Sequence, residues 1–125
     1  MPLADGVVLL PADVRELQLA KGAIAAGLRI LTKRICASLD DITQLHLAGA
    51  FGNYVSRASA HRIGLLRLPP ARVVPAGNTA LLGAKRALFD DAEQWDAVAR
   101  RVEHLSLNED GSFQEIYAEE MRFHA

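Results

Sequence analysis

The segment Leu45–Asn53 constrains the fold of this chain more than any other stretch. Its apolar first half, residues 45–48, predicts a short strand that is covered on both faces. Gly49 and Gly52 follow and allow a tight turn with φ > 0, after which a helix-like segment begins. A strand, a glycine turn and a helix in this order present backbone N–H groups to a phosphate or a carbonyl group. Because G-A-F-G is neither a dinucleotide fingerprint nor a Walker loop, glycines that only form a turn remain the alternative.

A second glycine turn occupies the equivalent place after the next predicted strand. Residues 72–76 predict that strand, Gly77 and Asn78 form the turn, and Asn78 is a favoured N-cap for a helix over Thr79–Phe89. Because strands joined through helices run parallel, both turns are expected at the carboxyl edge of one sheet, where open α/β sheets bind ligands. The chain is therefore predicted to be α/β and helix-rich, with a small, mostly parallel sheet of two to three strands.

A long helix is predicted before the first strand, from about Asp13 to Ile35. Its apolar residues recur at spacings of three and four and form one stripe: Leu17, Ala20, Ile24, Leu28 and Leu31. A stripe beside it combines polar with very small side chains: Gln18, Lys21, Gly22 and Ala25. Small side chains let another group approach a helix closely, and here that group is either a neighbouring helix or a ligand.

The C-terminal third predicts two more helices and one more strand. The first helix runs from Ala92 to about Val102. Residues 103–107 alternate between polar and apolar and predict a third strand. Ser112 and Glu115 have the spacing of a capping box at the start of the last helix.

Composition narrows the class of protein. The 125 residues suffice for a single domain over residues 1–125, and half of them are hydrophobic. Acids and bases are interspersed with a net charge of −1, so nothing favours a nucleic-acid partner. The uncharged stretches are too short for a membrane span, and no basic-then-apolar leader begins the chain. A cytoplasmic setting is therefore expected.

Cysteine and histidine, the residues that form most zinc and iron–sulfur sites, are few in this chain. Cys36 is the only cysteine, which excludes disulfides, cysteine-rich zinc sites and iron–sulfur clusters within this chain. Its thiol is expected to be packed and inert. The four histidines are scattered with no i, i+4 pair, so the sequence predicts no metal site.

Four motifs occur along the chain in a fixed order. They are D-V-R-E-L-Q-L-A-K-G-A-I at 13–24, L-A-G-A-F-G-N at 47–53, I-G-L at 63–65 and G-N-T-A-L-L-G-A at 77–84. In this combination they resemble the C-terminal part of the reductive activators of corrinoid proteins. These activators belong to the acetate and sugar kinase/Hsc70/actin superfamily. The resemblance runs over nearly the whole chain.

The resemblance implies half of an actin-like, ribonuclease H-like ATPase domain. Full-length members resemble multidomain, ATP-dependent proteins, in which an N-terminal [2Fe–2S] domain donates an electron to the cobalt of a corrinoid methyl carrier. Their actin-like domain binds ATP, with Mg²⁺, and couples its hydrolysis to that reduction. This chain resembles only the second half of the actin-like domain, so its implied partners are the missing N-terminal half and, for the parent protein, the corrinoid protein.

By motif position, the resemblance also implies an adenine-nucleotide site for ATP or ADP. One group of residues would form a turn against the ribose and the α-phosphate: Gly49, Ala50, Gly52 and Asn53. Lys21, with Gln18 beside it, would reach the nucleotide from the long helix. Gly77 and Asn78 would border the adenine.

Two departures from the superfamily pattern limit what this chain is expected to do. It contains no Asp-x-Gly-Gly-Thr phosphate loop and no pair of carboxylates placed to hold Mg²⁺ at a γ-phosphate. We therefore expect no catalytic residues and no ATP hydrolysis by this chain alone. The alternative function is a structural, interaction or dimerisation module whose glycines serve turns only. Such a chain can form a homodimer through the surface that its missing half would cover.

Overall fold

The computed structural model describes Met1 and residues 5–123, and within them it contains six helices and two strands. The helices are α1 (Pro11–Arg34), α2 (Gly49–Tyr54), α3 (Arg57–Arg62), α4 (Thr79–Ala87), α5 (Ala92–Ala99) and α6 (Phe113–Glu120). The strands are β1 (Leu45–Ala48) and β2 (Val73–Gly77). Short 3₁₀ turns lie at Leu39–Asp41, Pro70–Arg72 and Leu107–Glu109. The prediction of a helix-rich α/β chain with a small sheet is confirmed.

The long helix α1 is defined by local interactions at both of its ends. Pro11 opens the helix at a position that needs no N–H donor, and the Asp13 carboxylate accepts a hydrogen bond from the Leu10 N–H at 2.8 Å. Beyond the last turn, Cys36 adopts a left-handed φ of 54°. Cys36 is exposed, so the expectation of a packed thiol is wrong.

The two strands form a parallel sheet that rests on an apolar core. Leu45 pairs with Val73 at one end, and Ala48 pairs with Gly77 at the other. The core beneath them consists of buried residues from α3, the segment after it and β2: Ala60, Leu65, Leu66, Leu68 and Val73. Leu28 of α1 packs against the same core. The parallel arrangement predicted from the two strand–helix units is confirmed.

A second apolar cluster lies between α1 and α6, and it explains why the predicted third strand is absent from the described residues. Ala26 and Ile30 of α1 and Ile116 of α6 are buried in this cluster, and Leu105 and Leu107 pack against it. Residues 103–106 form neither helix nor strand. The alternation in this segment therefore buries leucines against a pair of helices, and the prediction of a strand is wrong.

The predicted capping box at the start of α6 is also wrong. Ser112 occupies the N-cap position, but its backbone is in the αR region and its side chain accepts no cap hydrogen bond. Its hydroxyl instead donates to Asp110 Oδ1 at 2.6 Å, as does its N–H at 2.9 Å. The turn before the helix thus uses Ser112 as a donor to an Asp side chain, which competes with capping.

The helices α4 and α5 leave large apolar side chains on the surface. Neither helix contains a buried residue. The exposed apolar residues of this region are Leu81, Leu82, Leu88, Phe89, Val98 and Val102. No helix in residues 5–123 is long and apolar enough to cross a membrane.

Candidate functional site

Two glycines with left-handed backbones lie side by side at the carboxyl edge of the sheet. Gly77 pairs with Ala48 across the sheet, and Gly49 is the residue after Ala48. Gly49 has a φ of 85° and Gly77 a φ of 67°. A Cβ added to either glycine would meet no heavy atom within 4 Å. The backbone is therefore open to a ligand at both positions, as predicted for the carboxyl edge of a parallel sheet.

The helices that follow these glycines begin at the same edge. The helix α2 begins at Gly49 itself, and α4 begins at Thr79. The Asn78 side chain accepts a hydrogen bond from the Leu81 N–H at 3.0 Å, which confirms its predicted role as the N-cap of α4. Helix N-termini carry unpaired N–H groups and a partial positive charge. The edge formed by Gly49, Gly77 and Asn78, here called the glycine edge, is therefore suited to an anionic or hydrogen-bond-accepting group.

The remaining residues of the first motif belong to a helix rather than to a turn. The structure begins α2 at Gly49, so the predicted five-residue turn is one left-handed residue followed by helix. Gly52 is buried, and a Cβ there would lie 2.8 Å from the Leu47 backbone oxygen. Gly52 thus lets α2 pack against β1. Ala50 and Asn53 are exposed on α2, and the nucleotide contacts predicted for these three residues stay predictions.

A surface cleft of about 580 Å³ opens beside α2. It is lined by Gly52, Asn53 and residues of the two neighbouring segments, which include Arg57 and Pro75. The Arg57 guanidinium donates to the Val73 carbonyl oxygen at 3.1 Å and so links α3 to β2. The cleft includes two of the predicted site residues but neither Gly49 nor Gly77.

Lys21 lies in a different environment from the glycine edge. Its side chain has no exposed surface, and its ammonium donates to the carbonyl oxygens of Glu120 and Arg122 at the end of α6. Burial lowers the pKa of Lys21, the Glu120 carboxylate opposes this shift, and Arg67 adds to it. Gln18, one turn earlier, is half-buried. The nucleotide contacts predicted for Lys21 and Gln18 stay predictions, although the Lys21 ammonium offers no surface to a ligand in this conformation.

The stripe of small residues on α1 faces a neighbouring helix. A Cβ on Gly22 would lie 2.9 Å from Met121 Cγ and 3.2 Å from Tyr117 Cε2. The sequence leaves open whether a neighbouring helix or a ligand approaches this stripe. In the structure a helix does so, since α6 and the residue after it, Met121, pack against Gly22.

A buried carboxylate that sequence reasoning missed completes this region. The Glu120 side chain has no exposed surface, and it forms ion pairs with Arg29 at 2.8 Å and Arg67 at 2.9 Å. Arg29 also pairs with Glu119 at 2.8 Å, and these carboxylates raise the pKa of the Arg29 guanidinium. The signal for Glu120 is its spacing of four from Ile116, which puts both on the buried face of α6.

The described residues bring no three His, Cys, Asp or Glu side chains together as a metal site. A [2Fe–2S] cluster held by cysteines needs four thiolates, and this chain has one cysteine, Cys36. The groups that the glycine edge offers to a ligand are the backbone at Gly49 and Gly77 and the side-chain amide of Asn78.

Comparison with known proteins places this chain in a family. The family model described as the C-terminal domain of RACo, the ASKHA domain, matches residues 3–125. The chain is 36% identical over 121 residues to the corrinoid activation enzyme RamQ of Eubacterium limosum, covering 93% of this chain and 20% of that protein. It is 26% identical over 125 residues to the Co(II) methylated amine-specific corrinoid protein reductase of Methanosarcina barkeri, covering 97% of this chain and 23% of that protein.

The two relatives are much longer than the matched region, and the chain spans about a fifth of the length of each. The match runs through both glycine turns and the C-terminal helix, since it covers all but the first two residues. The resemblance inferred from the four sequence motifs is thereby confirmed, and the chain belongs to the family of RACo C-terminal ASKHA domains.

Proposed function

We propose that this chain binds an adenine nucleotide at the glycine edge and serves as the nucleotide-binding part of an ATP-dependent activator of corrinoid proteins. The observation that carries the proposal is that two left-handed glycines with open space at the Cβ position, Gly49 and Gly77, lie at one edge of the sheet, at the start of α2 and just before α4. The names of the two relatives, a corrinoid activation enzyme and a corrinoid protein reductase, support the role in corrinoid activation.

The proposed contacts follow from the chemistry of the edge. Backbone N–H groups near Gly49 donate to the ribose or phosphate oxygens, and the start of α4 contributes positive partial charge. The exposed Asn78 amide can both donate to and accept from the edge of an adenine, while its Oδ1 also caps α4. Bound ATP supplies the energy for reduction of the corrinoid cobalt in the proposed parent protein. This chain supplies recognition, and the Mg²⁺ ligands and the [2Fe–2S] cluster belong to the rest of the parent.

An Asn78→Asp variant tests the proposal without removing the helix cap. Aspartate caps helices as well as asparagine does, so α4 and the melting temperature are expected to be retained. The new carboxylate loses the amide donor and repels the phosphates, so the Kd for ADP measured by isothermal titration is expected to rise about tenfold or more.

Asn108→Asp is the matched control, because it makes the same chemical change at an exposed residue in a 3₁₀ turn outside the glycine edge. Its affinity for ADP is expected to equal that of the wild-type chain. If the wild-type chain binds neither ADP nor ATP, or if both variants weaken binding equally, the glycine edge is not a nucleotide site.

A second candidate function is an interaction or dimerisation module, and the exposed apolar surface favours it. Leu88 and Phe89 are 78% and 89% exposed, and Tyr54 on α2 is 89% exposed. Large contiguous apolar surfaces mark protein–protein contacts. The titration separates the two functions, because a module of this kind has no affinity for ADP.

A further inference from the structure

The helices α1 and α6 hold each other by reciprocal charged contacts. Lys21 of α1 donates to the carbonyl of Glu120, the last residue of α6, and to the carbonyl of Arg122 two residues beyond, where the helix dipole favours a cation. Glu120 of α6 in turn accepts from Arg29 of α1. Both Lys21 and Glu120 are fully buried, and the Lys21 ammonium also lies 6.0 Å from the centroid of the Phe123 ring.

The same carboxylate links α6 to the sheet. Arg67, which pairs with Glu120, lies between two fully packed leucines, Leu66 and Leu68. Those leucines belong to the core beneath β1 and β2, together with Val73 at the start of β2. A displacement of α6 would therefore move the partner of Arg67 away from the segment that supports both strands.

We propose that Lys21, Arg29, Arg67 and Glu120, here called the α6 clasp, position the glycine edge by fixing α6 against α1 and the core under the sheet. Lys21 is then a positioning residue and makes no contact with the nucleotide. The inference deepens the proposed function and rests on it for the part that concerns affinity. The link to the two strands stands on the geometry alone.

The clasp is suited to this role because two of its charged residues, Lys21 and Glu120, are fully buried, while its arginines are about one-third exposed. Removing one member of a buried ion pair leaves its partner charged and unpaired, which destabilises the local structure much more than loss of an exposed pair does. An exposed pair is available for comparison, since Arg34 and Glu103 lie 3.6 Å apart with side chains that are 61% and 79% exposed.

The test uses three clasp variants: Lys21→Met, Glu120→Gln and the double variant that combines them. Glu103→Gln, in the exposed pair, is the matched control. Hydrogen exchange reports on α6, and the amide resonances of Gly49 and Gly77 report on the glycine edge. Titration with ADP gives the affinity. Glu120→Gln is expected to reduce protection of α6 by roughly 100-fold and to shift both glycine resonances, whereas Glu103→Gln changes neither.

For affinity, each clasp variant is expected to raise the Kd for ADP by about tenfold, and the double variant by less than the product of the two. Glu120 lies outside the glycine edge. A loss of affinity in Glu120→Gln that is not additive with the loss in Lys21→Met therefore supports the proposal that the clasp positions the glycine edge. The proposal is overturned if Lys21→Met weakens ADP binding while Glu120→Gln leaves the affinity and the glycine resonances unchanged. Lys21 would then be a ligand contact.

Loss of α6 protection with unchanged glycine resonances also overturns the proposal, because the clasp would then stabilise α6 without positioning the site. If the wild-type chain does not bind ADP, the proposed function fails, but the exchange and resonance measurements still decide whether the clasp controls the glycine edge. Should Glu120→Gln not fold, Arg67→Met removes the link to the sheet and is measured in its place.

Discussion

Individual glycines in this chain have different physical roles. Gly49 and Gly77 are needed for their left-handed backbones and have open space where a Cβ would be. Gly22 and Gly52 are needed because another part of the chain approaches within 3 Å of the Cβ position. Gly83, inside α4, has neither constraint. The sequence does not distinguish these five glycines, and only the backbone angles and neighbours separate the left-handed glycines of the sheet edge from those needed for packing.

Gly52→Ala is expected to destabilise the fold by about 1–3 kcal/mol, because the new methyl group would lie 2.8 Å from the Leu47 backbone oxygen. Chemical denaturation gives the free energy of unfolding. Gly83→Ala is the matched control and is expected to stabilise the chain by about 0.5–1 kcal/mol, since it adds helix propensity without a clash. Equal effects of the two substitutions would show that α2 does not pack closely against β1.

At the scale of elements, the turn before α6 contains a carboxyl group, Asp110, whose pKa can be measured directly. Hydrogen bonds from the Ser112 hydroxyl and N–H lower the pKa of Asp110, whose carboxylate they favour in its charged form. A lowered carboxylate pKa contributes stability above the ordinary value of 3.8, and this contribution is lost as the pH falls through the folded-state pKa.

Ser112→Ala is therefore expected to raise the pKa of Asp110 toward 3.8, as measured by NMR of the side-chain carboxyl carbon. Asp41, which accepts equivalent bonds from Ser38, is the internal reference and should keep its own lowered pKa. An Asp110 pKa that does not change in the variant would mean that Ser112 does not hold this turn.

The elements differ in how much of them the sequence predicts. The apolar spacing of three and four predicts the extent of α1 to within two residues. The buried face is not the predicted stripe, however: Leu17, Ile24 and Leu31 are exposed, because the face that packs against α6 is the neighbouring one, with Gly22, Ala26 and Ile30. The alternation at 103–107 does reflect burial, but the surface that covers Leu105 and Leu107 is a helix pair, and α1, one of the pair, is far away in sequence. A local pattern therefore records neither which face of a helix is covered nor the surface that covers a side chain.

The site residues show the same division. Asn78 and the two left-handed glycines are local features, and the strand-and-turn pattern predicts their place at the sheet edge. The partners of Lys21 lie 99 and 101 residues away, so no local pattern indicates that its ammonium caps α6. Long-range ion pairs of this kind depend on the tertiary packing.

At the scale of the whole molecule, the residues that the structure describes form two small cores and leave an extensive apolar surface on and around α4 and α5. A two-stranded parallel sheet is much smaller than the sheets that usually have helices on both faces. The relatives are long enough to supply further structure, since this region is about a fifth of each. The isolated chain is therefore expected to bury its apolar surface by self-association.

Light scattering after size exclusion is expected to show a mass that rises toward that of a dimer with increasing concentration. Phe89→Ser, at a side chain that is 89% exposed, is expected to weaken this association because it removes apolar surface. A clean monomer across a wide concentration range would contradict the expectation.

Binding of an adenine nucleotide at the glycine edge can be tested by mapping ADP onto the chain with amide NMR resonances. At 125 residues the chain is small enough for each backbone N–H to be followed during a titration. Saturable shifts are expected that are largest at Gly49, Gly77 and Asn78, with much smaller changes in the exposed helix α5. An absence of saturable shifts, or shifts centred away from these three residues, would contradict binding at the glycine edge.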